Sequence, residues 1–261
     1  MKAIILAAGQ GTRLRPLTEN KPKCLVNLFG KSLLEHQLKI FRECDIEDIS
    51  LVKGFQENKI NESNITYFIN VNYETTNMVE SLFCAKDKLI DSVIISYGDI
   101  IFENKVLKKL IESKDDCSVI VDLKWEKYWK IRFDDPLDDA ESLEFDKNNF
   151  ITNIGQKETS MDKIQGQYIG LMKFQGNGLK FLREFYENSK KESKIGTNPL
   201  NSNVKFESSY MTDLLQCMIN KGCKIKAIFI ENGWLEVDSI KDHKIYNKKL
   251  KDGSLSEIFN L

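Results

Sequence analysis

The segment Ala3-Ile4-Ile5-Leu6-Ala7-Ala8-Gly9-Gln10-Gly11-Thr12-Arg13-Leu14 constrains this chain more than any other. No polar residue alternates within Ala3 to Leu6, the pattern of a short strand buried on both faces. The strand runs straight into Gly9 and Gly11. Lacking a Cβ, glycine lets backbone approach a ligand closely, and free N–H groups in such a loop form an anion-binding concavity suited to phosphate. Arg13 would bring a planar fork and Lys23 a point charge to the same place. The plain alternative is a tight glycine turn with solvated basic residues.

Two familiar phosphate motifs fail here. The dinucleotide fingerprint G-x-G-x-x-G needs a third glycine where this chain has Leu14. The P-loop G-x-x-x-x-G-K-[ST] finds Gly30-Lys31-Ser32, but Leu25 stands where its first glycine must be. What remains is G-x-G-T-R-L, then P-L-T (Pro16 to Thr18) and P-K-x-L (Pro22 to Leu25). This set resembles the signature of nucleotidyltransferases that make sugar-nucleotides and CDP-activated phospho-compounds. The resemblance implies that Leu6, Ala8, Gly9, Gly11 and Thr12 contact a nucleotide, with Arg13 and Lys23 as catalytic cations.

Further along, Ser32-Leu33-Leu34-Glu35 carries a capping box, followed by Leu38 and Phe41 at helical spacing. Residues 49–53, 65–69, 93–97, 117–123, 150–155 and 225–230 read as strands, and another begins in 165–171. Residues 105–113, 178–189 and 211–219 read as helices. Such alternation predicts an α/β layered fold. With 261 residues and neither internal repeat nor interdomain linker, residues 1–261 are expected to form a single domain.

Composition excludes several classes. A net charge of −1 offers no basic face for nucleic acid. No apolar run reaches the ~18 residues of a membrane span, and the first strand is too short for a signal-peptide core. The six cysteines lack any C-x-x-C and read as reduced thiols of a cytoplasmic protein. Two histidines make an ordinary zinc site improbable, so any metal should be a hard cation on carboxylates.

Asn70-Val71-Asn72-Tyr73-Glu74-Thr75-Thr76-Asn77-Met78-Val79-Glu80-Ser81-Leu82 is a polar loop entering a helix. Thr76 or Asn77 would serve as its N-cap, and the Asn amide can also read a nucleobase, since it both donates and accepts. This motif resembles the branch of the family that uses CTP, including choline-phosphate and phosphonate cytidylyltransferases. Asp99 follows the strand 93–97, where ligands sit beyond strand carboxyl ends in open α/β sheets; a turn or helix cap is the alternative. Asp238 likewise follows an apolar segment near the last helix. Two such carboxylates suit Mg²⁺, which takes one or two plus substrate phosphate oxygens. The family's metal-binding Asp also falls at Asp99.

Trp125 and Trp129 are four apart and would share one face of a helical turn. Spacing alone favours a pair of core aromatics; the sharper reading makes them a pocket wall, with Arg132 gripping an anion. W-x-x-x-W-x-x-R, followed by Asp135-Pro136-Leu137-Asp138-Asp139, resembles phosphonate and CTP:phosphoglutamine cytidylyltransferases. The resemblance implies acceptor contacts from Trp125, Trp129, Arg132 and Lys157. The acidic run Asp134 to Glu144 otherwise reads as a solvated loop, and Gly170 as a close backbone approach to a ligand.

The resemblance implies a mixed central sheet, Rossmann-like in its nucleotide half. It further implies Mg²⁺-dependent transfer of CMP from CTP to a small phosphate- or phosphonate-bearing acceptor. No nucleic-acid or membrane partner is expected, and a homodimer is left open. The rival readings are a sugar-1-phosphate nucleotidyltransferase and a catalytically silent nucleotide-binding module.

Overall fold

Strand β1 (Lys2–Ala7) lies inside a seven-stranded sheet, and its apolar side chains are buried in both layers around it. The computed structural model describes residues 1–157 and 160–261. After β1 come the short paired strands β2 (Asn27–Leu28) and β3 (Lys31–Ser32), then helix α1 (Leu33–Glu43). β4 (Asp48–Lys53), β5 (Thr66–Ile69), α2 (Met78–Cys84), β6 (Ser92–Tyr97), β7 (Ile100–Phe102) and α3 (Asn104–Glu112) follow. Next are β8 (Cys117–Asp122), α4 (Trp125–Arg132), β9 (Glu141–Phe145), β10 (Ile151–Lys157), β11 (Gln167–Gln175) and α5 (Gly176–Ser193). The last are α6 (Met211–Asn220), β12 (Lys226–Ile230), β13 (Trp234–Glu236) and α7 (Ile240–Asp252).

The sheet runs in the order β12-β8-β11-β6-β1-β4-β5. It is mixed, as expected: β11 is antiparallel to both its neighbours and the other pairings are parallel. Ala3, Ile5 and Ala7 pack into the layer holding α1, α3 and α4, whereas Ile4 and Leu6 face α2, α5 and α6. Burying a side chain such as Ile or Leu contributes about 1.5–3 kcal/mol, and β1 does so on both faces. α1 starts with the predicted capping box: Ser32 Oγ accepts from Glu35 N–H at 3.1 Å and Glu35 Oε2 from Ser32 N–H at 2.6 Å.

Two expectations are corrected. The acidic run is not all solvated loop, because Glu141–Phe145 forms β9 and pairs antiparallel with β10. Its Ser142 and Leu143 are buried, so the acidic residues around them mask an inward-facing strand. Gly170 does admit a close neighbour, but that neighbour is the Tyr97 ring, which a Cβ would meet at 2.4 Å.

Candidate active site

The sheet register brings the site together. Leu6 of β1 pairs with Tyr97 of β6, so the glycine loop and the Gly98-Asp99 turn leave the sheet side by side. Gly98 N–H donates to Leu6 O at 2.9 Å, an approach that a Cβ on Gly98 would block, 2.6 Å from that oxygen. β13 pairs antiparallel with β7, and Val237 N–H donates to Asp99 O at 2.9 Å. This antiparallel pair carries Asp238 to Asp99 from about half the chain's length away.

Asp99 is further braced by Gln37, a residue of α1 that the sequence reading passed over. Its buried amide donates to Tyr97 O at 2.8 Å and Ile100 O at 2.7 Å and accepts from Ser96 Oγ at 2.9 Å. Carbonyls on both sides of the Gly98-Asp99 turn are thereby held by one side chain.

Lys23 Nζ lies between the two carboxylates, 2.7 Å from Asp99 Oδ2 and 2.6 Å from Asp238 Oδ1. Arg13, reaching in from solvent, places NH2 2.6 Å from Asp238 Oδ2. Gly11 makes room for this arrangement: at φ 64° it adopts a conformation other residues avoid, and a Cβ there would lie 2.9 Å from Lys23 Cβ. Burial works against charge on Lys23, but Asp99, Asp238 and Glu236 outweigh it and hold the ammonium above its ordinary pKa. Burial opposes ionisation of Asp238 too, yet Lys23, Arg13 and Arg132 keep its carboxyl below the usual range.

Glu236 is a third carboxylate that the sequence reading did not single out. Burial, together with Asp99 and Asp238, pushes its pKa up to about 7 against the opposing Arg132 and Lys23. Alternation along Trp234-Leu235-Glu236-Val237-Asp238, which sends residues two apart to one side, was the available signal.

A cavity of about 140 Å³ opens beside the lysine. Its lining includes Leu6, Ala8, Gly9, Lys23, Thr76, Asn77 and Asp99, so most of the expected nucleotide residues meet in one place. A Cβ on Gly9 would meet nothing within 4 Å, as a loop facing open space requires. Gly11 and Thr12 stand behind the rim as the start of a 3₁₀ turn, and Thr18 Oγ1 pins Gly11 O at 2.7 Å. Asn77 is the N-cap of α2, its Oδ1 accepting from Met78 N–H at 2.8 Å. Thr76 Oγ1 is occupied by Asn70 Nδ2 at 2.8 Å and donates to Asn72 O at 3.0 Å. Tyr73, Met78, Ser81 and Tyr97 also line the cavity and were not anticipated; Tyr73 and Ser81 stand in the same polar motif as Asn77.

The carboxylate pair fits a hard divalent cation. Asp99 Oδ1 is buried with no hydrogen-bond partner among the described residues, and the nearby donors are carboxylate oxygens. No group of three or more His, Cys, Asp or Glu side chains suited to a metal occurs among the described residues. An ion on Asp99 and Asp238 would therefore complete its shell with substrate phosphate and water, the habit of Mg²⁺.

The expected acceptor residues fare differently. Trp125 and Trp129 are buried, with ring centroids 6.0 Å apart edge to face, and both belong to the core. The Arg132 side chain is 1% exposed, with Nε 3.0 Å from Asp242 Oδ1 and NH1 2.6 Å from Glu236 Oε2. The second of these is an ion pair without hydrogen-bond geometry. These three residues were expected to face a ligand; the helical spacing turns them inward here, and Arg132 already has two carboxylate partners. Lys157 is exposed at the end of β10, next to Glu158 and Thr159, which lie outside the described residues.

Residues 3–159 match the model of the MobA-like NTP transferase domain. The chain is 38% identical to the CTP:phosphoglutamine cytidylyltransferase of Campylobacter jejuni, covering 95% of this chain and all of that one. It is 37% identical to the choline-phosphate cytidylyltransferase of Streptococcus pneumoniae over 45% of this chain and 56% of that protein. The solved CTP:phosphocholine cytidylyltransferase from Streptococcus pneumoniae shares the fold, with a TM-score of 0.71 at 21% identity over 95% of this chain and 98% of that one. A glycine loop at the end of β1, a lysine between two strand-end carboxylates and these likenesses converge: the chain belongs to the MobA-like NTP transferase family of nucleotidyltransferases.

Proposed function

We propose that this protein is a cytidylyltransferase, joining CMP from CTP to a small metabolite that bears a phosphate or phosphonate and releasing pyrophosphate. The observation that carries the reading is the single cavity uniting Gly9, Lys23, Asn77 and Asp99, with Asp238 delivered to the same lysine. The whole-length likeness to a cytidylyltransferase supports the choice of CTP.

An oxygen of the acceptor's phosphate or phosphonate attacks the α-phosphorus of CTP; the bond from that phosphorus to the bridging oxygen breaks, and pyrophosphate leaves. The acceptor group has a second pKa of about 6, so it is largely deprotonated at neutral pH and needs no general base. This agrees with a site built from cations and carboxylates. Lys23 and Arg13 neutralise charge on the triphosphate, and the loop at Gly9 lets backbone N–H groups approach it. Asn77 orients the base from a rigid helix start. Asp99 and Asp238 would hold Mg²⁺, which when bound supplies further charge neutralisation at the phosphates.

The compounds to try are phosphoglutamine and choline phosphate, after the relatives, and an aminophosphonate, after the resemblance carried by W-x-x-x-W-x-x-R. With Arg132 withdrawn into the core, Lys157 is the one basic residue of the expected acceptor side still exposed. The test is pyrophosphate release from each of the four common NTPs against these acceptors, with Mg²⁺ and with EDTA. Turnover with CTP, lost on chelation, is expected. Comparable rates with UTP, or a preference for a sugar-1-phosphate, would overturn the reading.

A further inference from the structure

The turn that carries Asp238 is held from behind by groups that never reach the cavity. Asp242, three residues into α7, accepts from Asp238 N–H at 3.1 Å, Ser239 N–H at 2.8 Å and Ser239 Oγ at 3.0 Å through one oxygen, Oδ2. Its other oxygen takes Arg132 Nε at 3.0 Å. The same guanidinium meets Glu236 Oε2 at 2.6 Å. Arg132 thus grips the residue two before Asp238 and the residue four after it.

The backbone at Glu236 is fixed from the same two helices. Its N–H donates to Tyr128 Oη of α4 at 2.8 Å, and its carbonyl accepts from Tyr246 Oη of α7 at 2.9 Å. The rings of Tyr128, Trp129 and Phe133 lie 5.6, 5.4 and 5.0 Å from the guanidinium carbon. With carboxylates at its nitrogens and three rings close about it, the group has no face left for a ligand.

We infer that Arg132 is a positioning residue: with Asp242 and Glu236 it forms a clamp, buried at Arg132 and Asp242, that sets the Asp238 carboxylate against Lys23. The inference rests on the cytidylyltransferase reading for what Asp238 does, but not for the clamp itself. It also gives W-x-x-x-W-x-x-R a second meaning. Trp129, its ring 6.1 Å from that of Trp234, packs the arginine's helix against β13, and the arginine follows it at the Asp238 turn.

The experiment compares Arg132→Lys, which keeps the charge but loses the planar fork, with Asp242→Asn, which keeps the shape and removes the charge. In each, kcat should fall about tenfold, with the KM for CTP and for the acceptor within about twofold of wild type, the signature of a transition-state interaction lost. Mn²⁺ binding, followed by electron paramagnetic resonance on the intact protein, should weaken in both. Because the two changes break one clamp, the double variant should lose little more than the worse single one.

A tenfold rise in acceptor KM with kcat retained would overturn the inference in favour of acceptor binding. Lower thermal stability with kcat, both KM values and Mn²⁺ affinity unchanged would overturn it in favour of bracing alone. Should Arg132→Lys fail to fold, Asp242→Asn carries the same readouts. The Mn²⁺ arm needs no turnover, so an inactive wild type would sink the cytidylyltransferase reading and leave the clamp still open to refutation.

Discussion

The glycine-loop side of the site and the α4 side present opposite uses of the same kind of motif. At the loop, G-x-G-T-R-L leads to open space: Gly9 faces the cavity, Gly11 makes way for Lys23, and Arg13 remains accessible. At α4, W-x-x-x-W-x-x-R leads inward, to rings in the core and a guanidinium between two carboxylates. Both segments carry the resemblance read from the sequence. One does so through residues that can touch a ligand, the other through residues that hold the ligand-touching ones in place.

The largest effects should come from the first side. Asp99→Asn removes a charge whose second oxygen has no hydrogen-bond partner among the described residues. Turnover should drop about 10²–10³-fold, the scale seen when one preorganised electrostatic group is lost, with the fold intact by circular dichroism. Near-wild-type kcat at saturating Mg²⁺ would remove Asp99 from the ligand set. Lys23→Met should be as damaging to turnover, yet it should tighten Mn²⁺ binding in the absence of nucleotide. The reason is that the ammonium now sits on both carboxylates; unchanged or weaker Mn²⁺ binding would contradict that competition.

A middle effect separates the two roles of Asn77. Asn77→Asp retains the oxygen that caps α2 but loses the amide donors, so stability should hold while the KM for CTP rises about tenfold. Asn77→Ala loses both and should also cost about 1 kcal/mol of stability. If Asn77→Asp leaves the KM for CTP untouched, Asn77 is a cap and nothing more.

The smallest effect lies outside the cavity, at the start of β9. Desolvation by neighbouring structure, with Asp139 and Asp213 nearby, pushes the Glu141 carboxyl up to about 7, but the side chain is exposed at the start of β9, so solvent screening keeps the effect on stability small. A carboxyl with a raised folded pKa stabilises the fold relative to its ionised state only while protonated. That contribution is full below the unfolded value near 4.5 and is lost as pH rises through about 7. Glu141→Gln should therefore raise the melting temperature at pH 8 and leave it nearly unchanged at pH 4. Equal shifts at both pH values would show that folding does not move the Glu141 pKa.

Much of the nucleotide side was readable from local order alone. Ala3 to Leu6 has to be a doubly buried strand, because nothing in it tolerates water, and Gly9 and Gly11 have to be loop. Thr76 or Asn77, entering a helical segment, was expected to cap a helix, and the structure gives that place to Asn77. These are consequences of backbone chemistry within a few residues, and they determine the layered fold and the loop's place at a strand end. The direction of Arg132 is another matter. Its helix was legible, yet whether the guanidinium turned to a ligand or to protein depended on Glu236 and Asp242, more than a hundred residues away. Likewise β9 hid among acidic residues, since its inward face exists only once β10 lies beside it. Lys23, Asp99 and Asp238 were each identifiable, but their meeting was decided by strand register and by the pairing of β13 with β7. A charge acquires its partner in three dimensions, and sequence spacing constrains that choice only for neighbours on the same helix or strand.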